Sequence, residues 1–501
     1  MQAVNRQQAR WMLWLKVCIV LQLLLLVMSL PGQRVHGDEA AFAEIAYWQA
    51  SEGHPRSELF RGLLGYEDRI LLCHKLWEAL GALVILLFGF GLWPLRVLSL
   101  LATAGIMYLL WGHFCGGTGR AAHGSGPDRL GFLIAVAFLL LAPLTFKFAK
   151  FYRPEMMQAA LGLGSFIALR HTLHRRASRL ALLAGALAGV ATLVHLNGVV
   201  YAVAGFGLLV ARCRWREASL FTLAAAAVCA LFFYDIVGNP QLFWWQWVAD
   251  PTFGESERTI AGTIIKLFEE HKRLFRKPEI IFSSALFFAA YFTSIGYQRR
   301  QQGNFLLYVV FLIIALGALA PAKTTPYAIL LFPFFAVGIG RTGGAVIRGD
   351  LAVPRWLRTA LALCTVAFIG HSIAAAAINA FTDKHNWVED NRRIAESLPA
   401  GAKVLAPLDF VFNDVDRFQI AGLRLARWRL GVWSSLPYDF ERLVYYADSA
   451  VIHAIILNRE ERRQLESYPA VIGETTGPYR LVKKLGEGGL WLWQREADEG
   501  S

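Results

Sequence analysis

Residues 11–46 read WMLWLKVCIVLQLLLLVMSLPGQRVHGDEAAFAEIA, a long apolar run followed by a short polar stretch and an acidic pair. A helix needs roughly 20 mostly apolar residues to span the ~30 Å hydrocarbon core of a membrane, and residues 11–30 meet that length. The run is long for a signal-peptide core, and no small-residue cleavage site follows it. Because arginines precede it, the run predicts an uncleaved first membrane helix with a cytoplasmic start, so that Asp38 and Glu39 emerge on the outer face.

Apolar runs of this kind recur along most of the chain. Of its 501 residues, 56% are hydrophobic and only 17% are charged, which is too little charge to cover a soluble protein of this size. The runs recur as far as Asn379, whereas residues 380–501 are mixed in composition. The pattern predicts an α-helical polytopic membrane protein, with a multi-pass domain at 1–379 and a small α/β soluble domain at 380–501.

Regular structure is also predicted outside the membrane. Residues 260–274 carry apolar side chains at spacings of three and four, which predicts a helix lying flat in the interface. In the C-terminal domain, residues 403–406 and 451–457 have the composition of strands. Residues 479–484 and 490–494, separated by glycines, predict a β-hairpin.

The net charge of +13 comes from 50 Lys and Arg against 37 Asp and Glu. Much of the basic excess falls in short loops between apolar runs, where it sets topology, so we do not expect nucleic-acid binding. The basic loops predicted to be cytoplasmic are 170–176, 212–216, 298–300 and 341–358. The loops 31–75 and 235–279 and the C-terminal domain are then extracytoplasmic, and the six cysteines form no CxxC pair.

One count conflicts with this topology. Asp38 and Glu155 are both placed outside, which requires an even number of crossings between them, yet three apolar segments lie there. Either the segment 76–93, with its Trp93-Pro94 break, is re-entrant, or the segmentation is wrong.

Asp38 and Glu39 form the first candidate site. A carboxylate at the membrane boundary can deprotonate an acceptor hydroxyl or hold a divalent metal ion. The alternative is that Asp38 only caps the helix that starts here, since acidic residues are common at that position.

The second candidate is Arg153-Pro154-Glu155, between two apolar segments. Acidic residues beside a membrane segment are costly unless they are paired or functional. Glu155 could complete a two-carboxylate site with Asp38, and Arg153 could bind a phosphate. The alternative is a local Arg–Glu pair at a helix start, with Pro154 in the first turn.

Two further polar groups are predicted on the outer face. Lys323 could neutralise a lipid phosphate and Tyr327 could donate a hydrogen bond to it, although a lysine here can also simply snorkel to the interface. His195 and Asn197, between two short apolar segments, could bind sugar hydroxyls or form only a polar turn.

The order of these motifs resembles the GT-C superfamily of membrane glycosyltransferases. Within it, the motifs are similar to those of protein O-mannosyltransferases, of the aminoarabinose transferases that modify lipid A, and of related bacterial enzymes. The matching stretches are residues 37–46 (D-E-x-x-Y-A-x-I-A in the family), 153–155 (R-P-D or R-P-E) and 323–333 (K-x-x-x-Y-L-L-P-x-P). The chain departs from the pattern at Phe42, where the family has Tyr, and at 195–197, where many relatives have lysine.

The resemblance implies a role for each matched residue. Asp38 would be the catalytic base or would orient the acceptor, with Glu39 beside it and Glu155 as the second acid of the site. Lys323 and Tyr327 would bind the donor phosphate. Some relatives hold a divalent metal ion at this place, so the resemblance leaves such an ion open here.

The resemblance also implies the reaction. A polyprenyl-phosphate sugar would be the donor, and a glycolipid, polysaccharide or protein hydroxyl would be the acceptor, with inversion at the anomeric carbon. The chain would lie in a bacterial inner membrane, with its active site and C-terminal domain in the periplasm. The alternatives are a transporter or flippase for lipid-linked glycans, a non-catalytic assembly subunit, and an O-antigen-ligase-like enzyme.

Overall fold

The computed structural model describes residues 2–30, 33–116, 127–175, 177–249, 260–320, 324–382, 387–413, 415–430, 438–465, 471–485 and 489–496. Within these residues, sixteen α-helices precede the C-terminal domain. They are α1 (Gln2–Met28), α2 (Gly37–Glu52), α3 (Lys75–Phe88), α4 (Leu92–Cys115), α5 (Arg129–Leu141), α6 (Pro143–Phe148), α7 (Glu155–Arg175), α8 (Ser178–Val194), α9 (Val199–Ala211), α10 (Trp215–Cys229), α11 (Pro240–Ala249), α12 (Ile260–Phe268), α13 (Glu270–Phe275), α14 (Pro278–Leu319), α15 (Phe332–Arg348) and α16 (Arg355–Thr382).

The membrane domain is a helical bundle. Six stretches in the described residues are long and apolar enough to cross a membrane, and four shorter apolar helices accompany them. The long helix α14 contains two apolar stretches, and Phe287 and Phe305 from its two halves both lie against Gly338. Since a straight α-helix would place these two residues roughly 27 Å apart along its axis, α14 must bend sharply between them. The prediction of a polytopic α-helical membrane protein is confirmed.

Helix α3 resolves the conflict in the count of crossings. His74, just before α3, stacks on His195 with ring centroids 4.2 Å apart. Phe90, just after α3, packs against Tyr47 of α2 and Phe412 of the C-terminal domain. Both ends of α3 are therefore on the same side of the bundle, and in the described part of the stretch between Asp38 and Glu155 two helices, α4 and α5, remain as crossings.

The C-terminal domain is an α/β unit around one six-stranded sheet. Its strands are β1 (Lys403–Ala406), β2 (Gln419–Gly422), β3 (Ala454–Leu457), β4 (Thr475–Thr476), β5 (Tyr479–Lys484) and β6 (Trp491–Arg495), in the order β2-β1-β3-β6-β5-β4. Strands β2, β1 and β3 are parallel and the remaining pairs are antiparallel, so the predicted hairpin of β5 and β6 is confirmed. Its helices are α17 (Trp387–Ala395), α18 (Leu423–Arg429), α19 (Phe440–Ser449) and α20 (Arg459–Arg462).

The C-terminal domain and the segment between α1 and α3 share a hydrophobic core. Val35 and Leu59 of the membrane domain are buried in one cluster with Val404 and Leu408. The backbone N–H of Gly422 donates to the carbonyl of Leu59 at 3.1 Å. This shared core fixes the beginning of α18 directly over the beginning of α2.

Candidate active site

His36, rather than Asp38, caps helix α2. Its Nδ1 accepts a hydrogen bond from the Asp38 N–H (3.1 Å), and its own N–H donates to Oε2 of Glu39 (3.2 Å), which together form a capping box. The alternative interpretation of Asp38 as the N-cap is therefore wrong. Asp38 sits in the first turn of α2, where its carboxylate remains available for partners outside the helix.

Glu39 is held in a dense set of contacts. Its carboxylate accepts two hydrogen bonds from Arg96 of α4, at 2.8 and 2.9 Å, and a third from the backbone N–H of Tyr152 at 2.8 Å. Glu39 is fully buried and Arg96 almost so. A bidentate pair of this kind has fixed geometry, so Glu39 ties the start of α2 to α4 and to the segment before α7.

Arg153 joins the two predicted carboxylates. Its Nη1 donates to Asp38 Oδ2 at 2.6 Å, while its Nε and Nη2 donate to Glu155 Oε1 at 3.1 and 2.5 Å. The side chains of Arg153 and Glu155 are 7% and 1% exposed, whereas that of Asp38 is 31% exposed. Asp38, which is far in sequence from Arg153 and Glu155, thus forms one charged group with them. Asp38 is the solvent-accessible residue of this group.

A second arginine contacts Asp38 from the C-terminal domain. Nη1 of Arg424, in α18, donates to Asp38 Oδ1 at 2.8 Å, and the Arg424 side chain is 57% exposed. Burial acts to raise the pKa of Asp38, but Arg153 and Arg424 outweigh it and hold that pKa well below its usual range. Asp38 is therefore ionised at neutral pH, and both of its oxygens bond guanidinium groups.

Two histidines line the same site. His74 and His195 stack on each other, and the ring of Tyr327 packs edge-on against His195 at 5.5 Å. Burial lowers the pKa of His195 to about 3 and that of His74 well below its usual value, so both are neutral. Because Nδ1 of His195 accepts from the Asn197 N–H (3.1 Å), its proton is on Nε2, which can donate to a substrate oxygen.

Arg273 of α13 is a candidate residue that the sequence interpretation did not single out. Its side chain is fully buried, with Nη2 donating to the Ala320 carbonyl (2.7 Å) and Nε 2.8 Å from Glu270 Oε1. Its guanidinium lies 5.7 Å from the centre of the Tyr327 ring. Nη1 has no hydrogen-bond partner among the described residues, so Arg273 brings an unsatisfied cationic donor beside Tyr327.

Tyr327 connects these groups into one site. The charged groups that act on its hydroxyl are Glu155, Arg153, Asp38 and Arg273. The structure thus brings together Asp38, Arg153, Glu155, His195 and Tyr327 of the predicted site and adds His74, Arg273 and Arg424. Asn197 reaches this group through its backbone N–H, which donates to His195. The predicted phosphate ligand Lys323 lies outside the described residues.

A divalent metal ion does not fit the described residues. Among them, no three side chains of His, Cys, Asp or Glu come together as a metal site requires. The place between the carboxylates of Asp38 and Glu155 is occupied by the guanidinium of Arg153. The guanidinium of Arg153, and not a metal ion, therefore joins the two carboxylates.

The fold of the chain is similar to those of several solved structures. The structure of ArnT from Cupriavidus metallidurans in the apo state matches with a TM-score of 0.62 at 12% identity, covering 96% of this chain and 97% of that one. The same protein bound to undecaprenyl phosphate matches with a TM-score of 0.56 at 14% identity over the same shares. The oligosaccharyltransferase of Archaeoglobus fulgidus, in complex with Zn and sulfate, matches with a TM-score of 0.50 at 11% identity, covering 88% of this chain and 68% of that one.

These matches confirm the predicted fold. The chain is a polytopic membrane protein with the GT-C fold, and it resembles ArnT over nearly its whole length. No protein-family model matches the sequence, and no curated protein matches it significantly.

Proposed function

We propose that the protein is a glycosyltransferase that moves a sugar from a polyprenyl-phosphate donor to an acceptor hydroxyl at the extracytoplasmic membrane surface. The observation that carries the proposal is the accessible carboxylate of Asp38, which Arg153 bridges to the buried Glu155, in one site with Tyr327 and the buried guanidinium of Arg273 beside it. A base and a phosphate-binding cation in one site at the membrane boundary suit displacement of a lipid phosphate. ArnT, which has the same fold, binds undecaprenyl phosphate, and this supports the donor class.

In the proposed reaction, the acceptor oxygen attacks the anomeric carbon while Asp38 takes the proton of the acceptor hydroxyl. The bond between the anomeric carbon and the phosphate oxygen breaks, and polyprenyl phosphate leaves with the bonding electron pair. Attack from the side opposite the leaving group inverts the anomeric configuration. Arg273 and the Tyr327 hydroxyl stabilise the negative charge that develops on the phosphate.

The remaining residues position these groups. Arg153 keeps Asp38 ionised and orients it, while Glu155 holds Arg153 in place. Glu39 fixes the first turn of α2 through Arg96. His195, with its proton on Nε2, is placed to donate to a sugar hydroxyl. The proposed sugar is a hexose or a pentose. The proposed acceptor is a hydroxyl group of a glycolipid, a polysaccharide or a protein.

Disruption of the gene tests the proposed function. Mass spectrometry of envelope glycolipids and glycoproteins is expected to show the loss of one hexose or pentose mass from a defined acceptor, with restoration by the wild-type gene. Purified protein should then transfer that sugar when it is supplied with the polyprenyl-phosphate donor. Net movement of a lipid-linked glycan across vesicles without formation of a glycosidic bond would instead identify a transporter.

Arg273→Gln is expected to weaken use of the donor. The substitution removes the buried charge beside Tyr327, and loss of one charge-stabilising donor typically costs about 100-fold or more in rate. The measurement is the initial rate as a function of donor concentration in detergent. Lys272→Gln, at the neighbouring position, is the matched control because Lys272 is exposed and pairs with Glu269. Equal activity of the two variants would remove Arg273 from the site.

Arg424→Gln is expected to move the acid limb of the pH–rate profile to higher pH. Asp38 must be ionised to accept a proton, so activity falls as the pH drops through its pKa. Arg424 is one of the two cations that depress this pKa, and its removal raises the pKa. Arg424→Lys keeps the charge and should shift the limb less. The control is Arg442→Gln, an exposed position on α19, which should leave the profile unchanged; an unchanged profile in Arg424→Gln would contradict the pairing.

A further inference from the structure

Helix α11 presents an apolar face to the outside of the bundle. Trp244, Trp245 and Val248 are 65%, 50% and 43% exposed, and with Pro240 and Gln241 they line a shallow groove of about 480 Å³. Because residues four apart lie on one side of a helix, Pro240, Trp244 and Val248 form one stripe. The sequence of α11 contains no charged side chain. We call Pro240, Gln241, Trp244, Trp245 and Val248 the tryptophan face.

The opposite face of α11 packs beside the candidate active site. Leu242 and Phe243 pack against a buried apolar cluster that Leu76 and Leu196 also contact. Leu196 is adjacent in sequence to His195, one of the two stacked histidines. The inner face of α11 therefore lies close to the histidine pair, whereas its tryptophan face is exposed.

One buried side chain of α11 holds a neighbouring loop. Gln246 is fully buried; its Nε2 donates to the carbonyl oxygens of Leu64 (3.1 Å) and Arg69 (2.7 Å), and its Oε1 accepts from the N–H of Leu71 (2.9 Å). Leu64 has a φ of 53°, a left-handed conformation that a leucine keeps only when its surroundings hold it there. Gln246 thus fixes the backbone of residues 57–71, which we call the α2–α3 loop.

The α2–α3 loop is also held by the helix that carries Asp38. Glu44 of α2, which is buried, accepts hydrogen bonds from the backbone N–H groups of Glu58 (2.6 Å) and Leu59 (3.1 Å). Glu44 follows Asp38 by less than two turns, roughly 9 Å along the helix axis. Hydrogen bonds therefore link α11 through the α2–α3 loop to the helix of the proposed base.

The tryptophan face continues a surface that faces lipid. The apolar stretch Trp215–Phe233 is long enough to cross a membrane, and Leu231 near its end is exposed. Just beyond it, Asp235 pairs with Lys75 at 2.7 Å, and Lys75 follows His74 of the candidate active site. The stretch therefore reaches the membrane surface at the active-site end, shortly before α11 begins. Tryptophan side chains at this position are typical of the headgroup region.

We propose that the tryptophan face of α11 binds the bilayer leaflet at the active-site end and that this contact anchors the α2–α3 loop. An amphipathic helix at a membrane surface buries its apolar face about 5–10 Å into the boundary between headgroups and acyl chains. Since α11 carries no charge, apolar burial supplies the binding, and the content of anionic lipid should not alter it. The inference does not depend on the proposed transfer reaction.

A nitroxide at position 248 tests the depth of α11. The label is carried by an encoded keto amino acid in the full-length protein, so the native cysteines stay in place, and the protein is reconstituted in vesicles of phosphatidylethanolamine and phosphatidylglycerol. Power saturation gives the ratio of collisions with oxygen, which dissolves in the bilayer, to collisions with a water-soluble nickel chelate. At position 248 this ratio is expected to be at least about fivefold higher than at Tyr445, an exposed residue of α19 in the C-terminal domain.

Two results would overturn the anchor. An equal ratio at positions 248 and 445 would show that α11 lies in water. Low collision rates with both reagents would show that another protein or a second copy of the chain covers it. The same ratio in vesicles of phosphatidylcholine alone supports apolar burial, whereas loss of the contact without phosphatidylglycerol would contradict it.

Trp244→Gln tests the link to the α2–α3 loop. Trp244 is on the exposed side of α11, away from Gln246, so the substitution weakens the contact with lipid and leaves the hydrogen bonds to the loop in place. As the anchor loosens, amide hydrogen exchange in residues 64–71 should become about fivefold faster in vesicles.

Trp215→Gln is the matched control. Trp215, at the start of α10, is 62% exposed against 65% for Trp244, and its substitution should leave the exchange of residues 64–71 unchanged. Because both tryptophans are exposed, neither substitution opens the packed core. Equal exchange in the two variants would overturn the link between the lipid contact and the loop.

Discussion

Asp38→Asn is expected to abolish sugar transfer while the chain still inserts and folds. The amide is nearly the same size as the carboxylate, and its oxygen can still accept a hydrogen bond from Arg153 or Arg424. It cannot take a proton from an acceptor hydroxyl. Since a positioned general base contributes about 100- to 10,000-fold, transfer should fall by roughly that factor.

The measurement is transfer by purified protein in vesicles supplied with the donor lipid, compared at equal amounts of monodisperse protein. Asp68→Asn is the matched control, because Asp68 is an exposed carboxylate in the loop that follows α2. Full activity of Asp38→Asn would refute the base assignment. A non-catalytic assembly subunit would tolerate neutralisation of both Asp38 and Glu155, so the double variant also tests that alternative.

Arg153→Gln is expected to cost both activity and stability. The substitution leaves Glu155, which is 1% exposed, as an uncompensated buried charge, and removal of one partner from a buried pair typically costs about 3–5 kcal/mol. It also removes a cation that keeps Asp38 ionised. The double variant Arg153→Gln/Glu155→Gln should recover most of the lost stability, because no unpaired charge remains, but not the activity.

A double-mutant cycle over these two positions measures the coupling. The free energy of unfolding in mixed micelles is compared for the wild type, both single variants and the double variant. Arg61→Gln serves as the control: Arg61 is 57% exposed and pairs with Glu58, so its loss should cost less than about 1 kcal/mol. Additive effects at Arg153 and Glu155 would show that the bridge contributes nothing.

The sequence predicted the fold class because membrane helices are encoded locally. A run such as residues 11–30 must bury its own backbone groups and can do so only as a helix, so length and hydropathy suffice. The same holds for the strands at 403–406 and 479–484, whose patterns match the structure. The number of membrane crossings could not be predicted from the sequence, because α3 has the composition of a spanning helix. Its contacts in the folded structure show that both of its ends lie on one side of the bundle.

The residues of the candidate site likewise fall into those that a local motif revealed and those that only distant contacts revealed. The acidic residue after the first helix and the Arg-Pro-Glu element were visible as motifs, because each combines unusual residues within a few positions. Arg424 and Arg273 gave no such signal, since α18 and α13 contain several ordinary basic residues. Their partners are distant in sequence: Asp38 for Arg424, and the Tyr327 ring and the Ala320 carbonyl for Arg273.

By itself, the sequence determined that this chain is a multi-pass helical membrane protein with a small α/β domain and that acids and cations collect near one membrane face. Only the tertiary structure decided that Glu39 is clamped by Arg96, that Arg153 bridges Asp38 and Glu155, and that the C-terminal domain supplies Arg424. The physical reason is the distance along the sequence over which each interaction acts. Hydropathy and helix periodicity act over a few neighbouring residues, whereas a salt bridge forms between whichever side chains the packed bundle brings together.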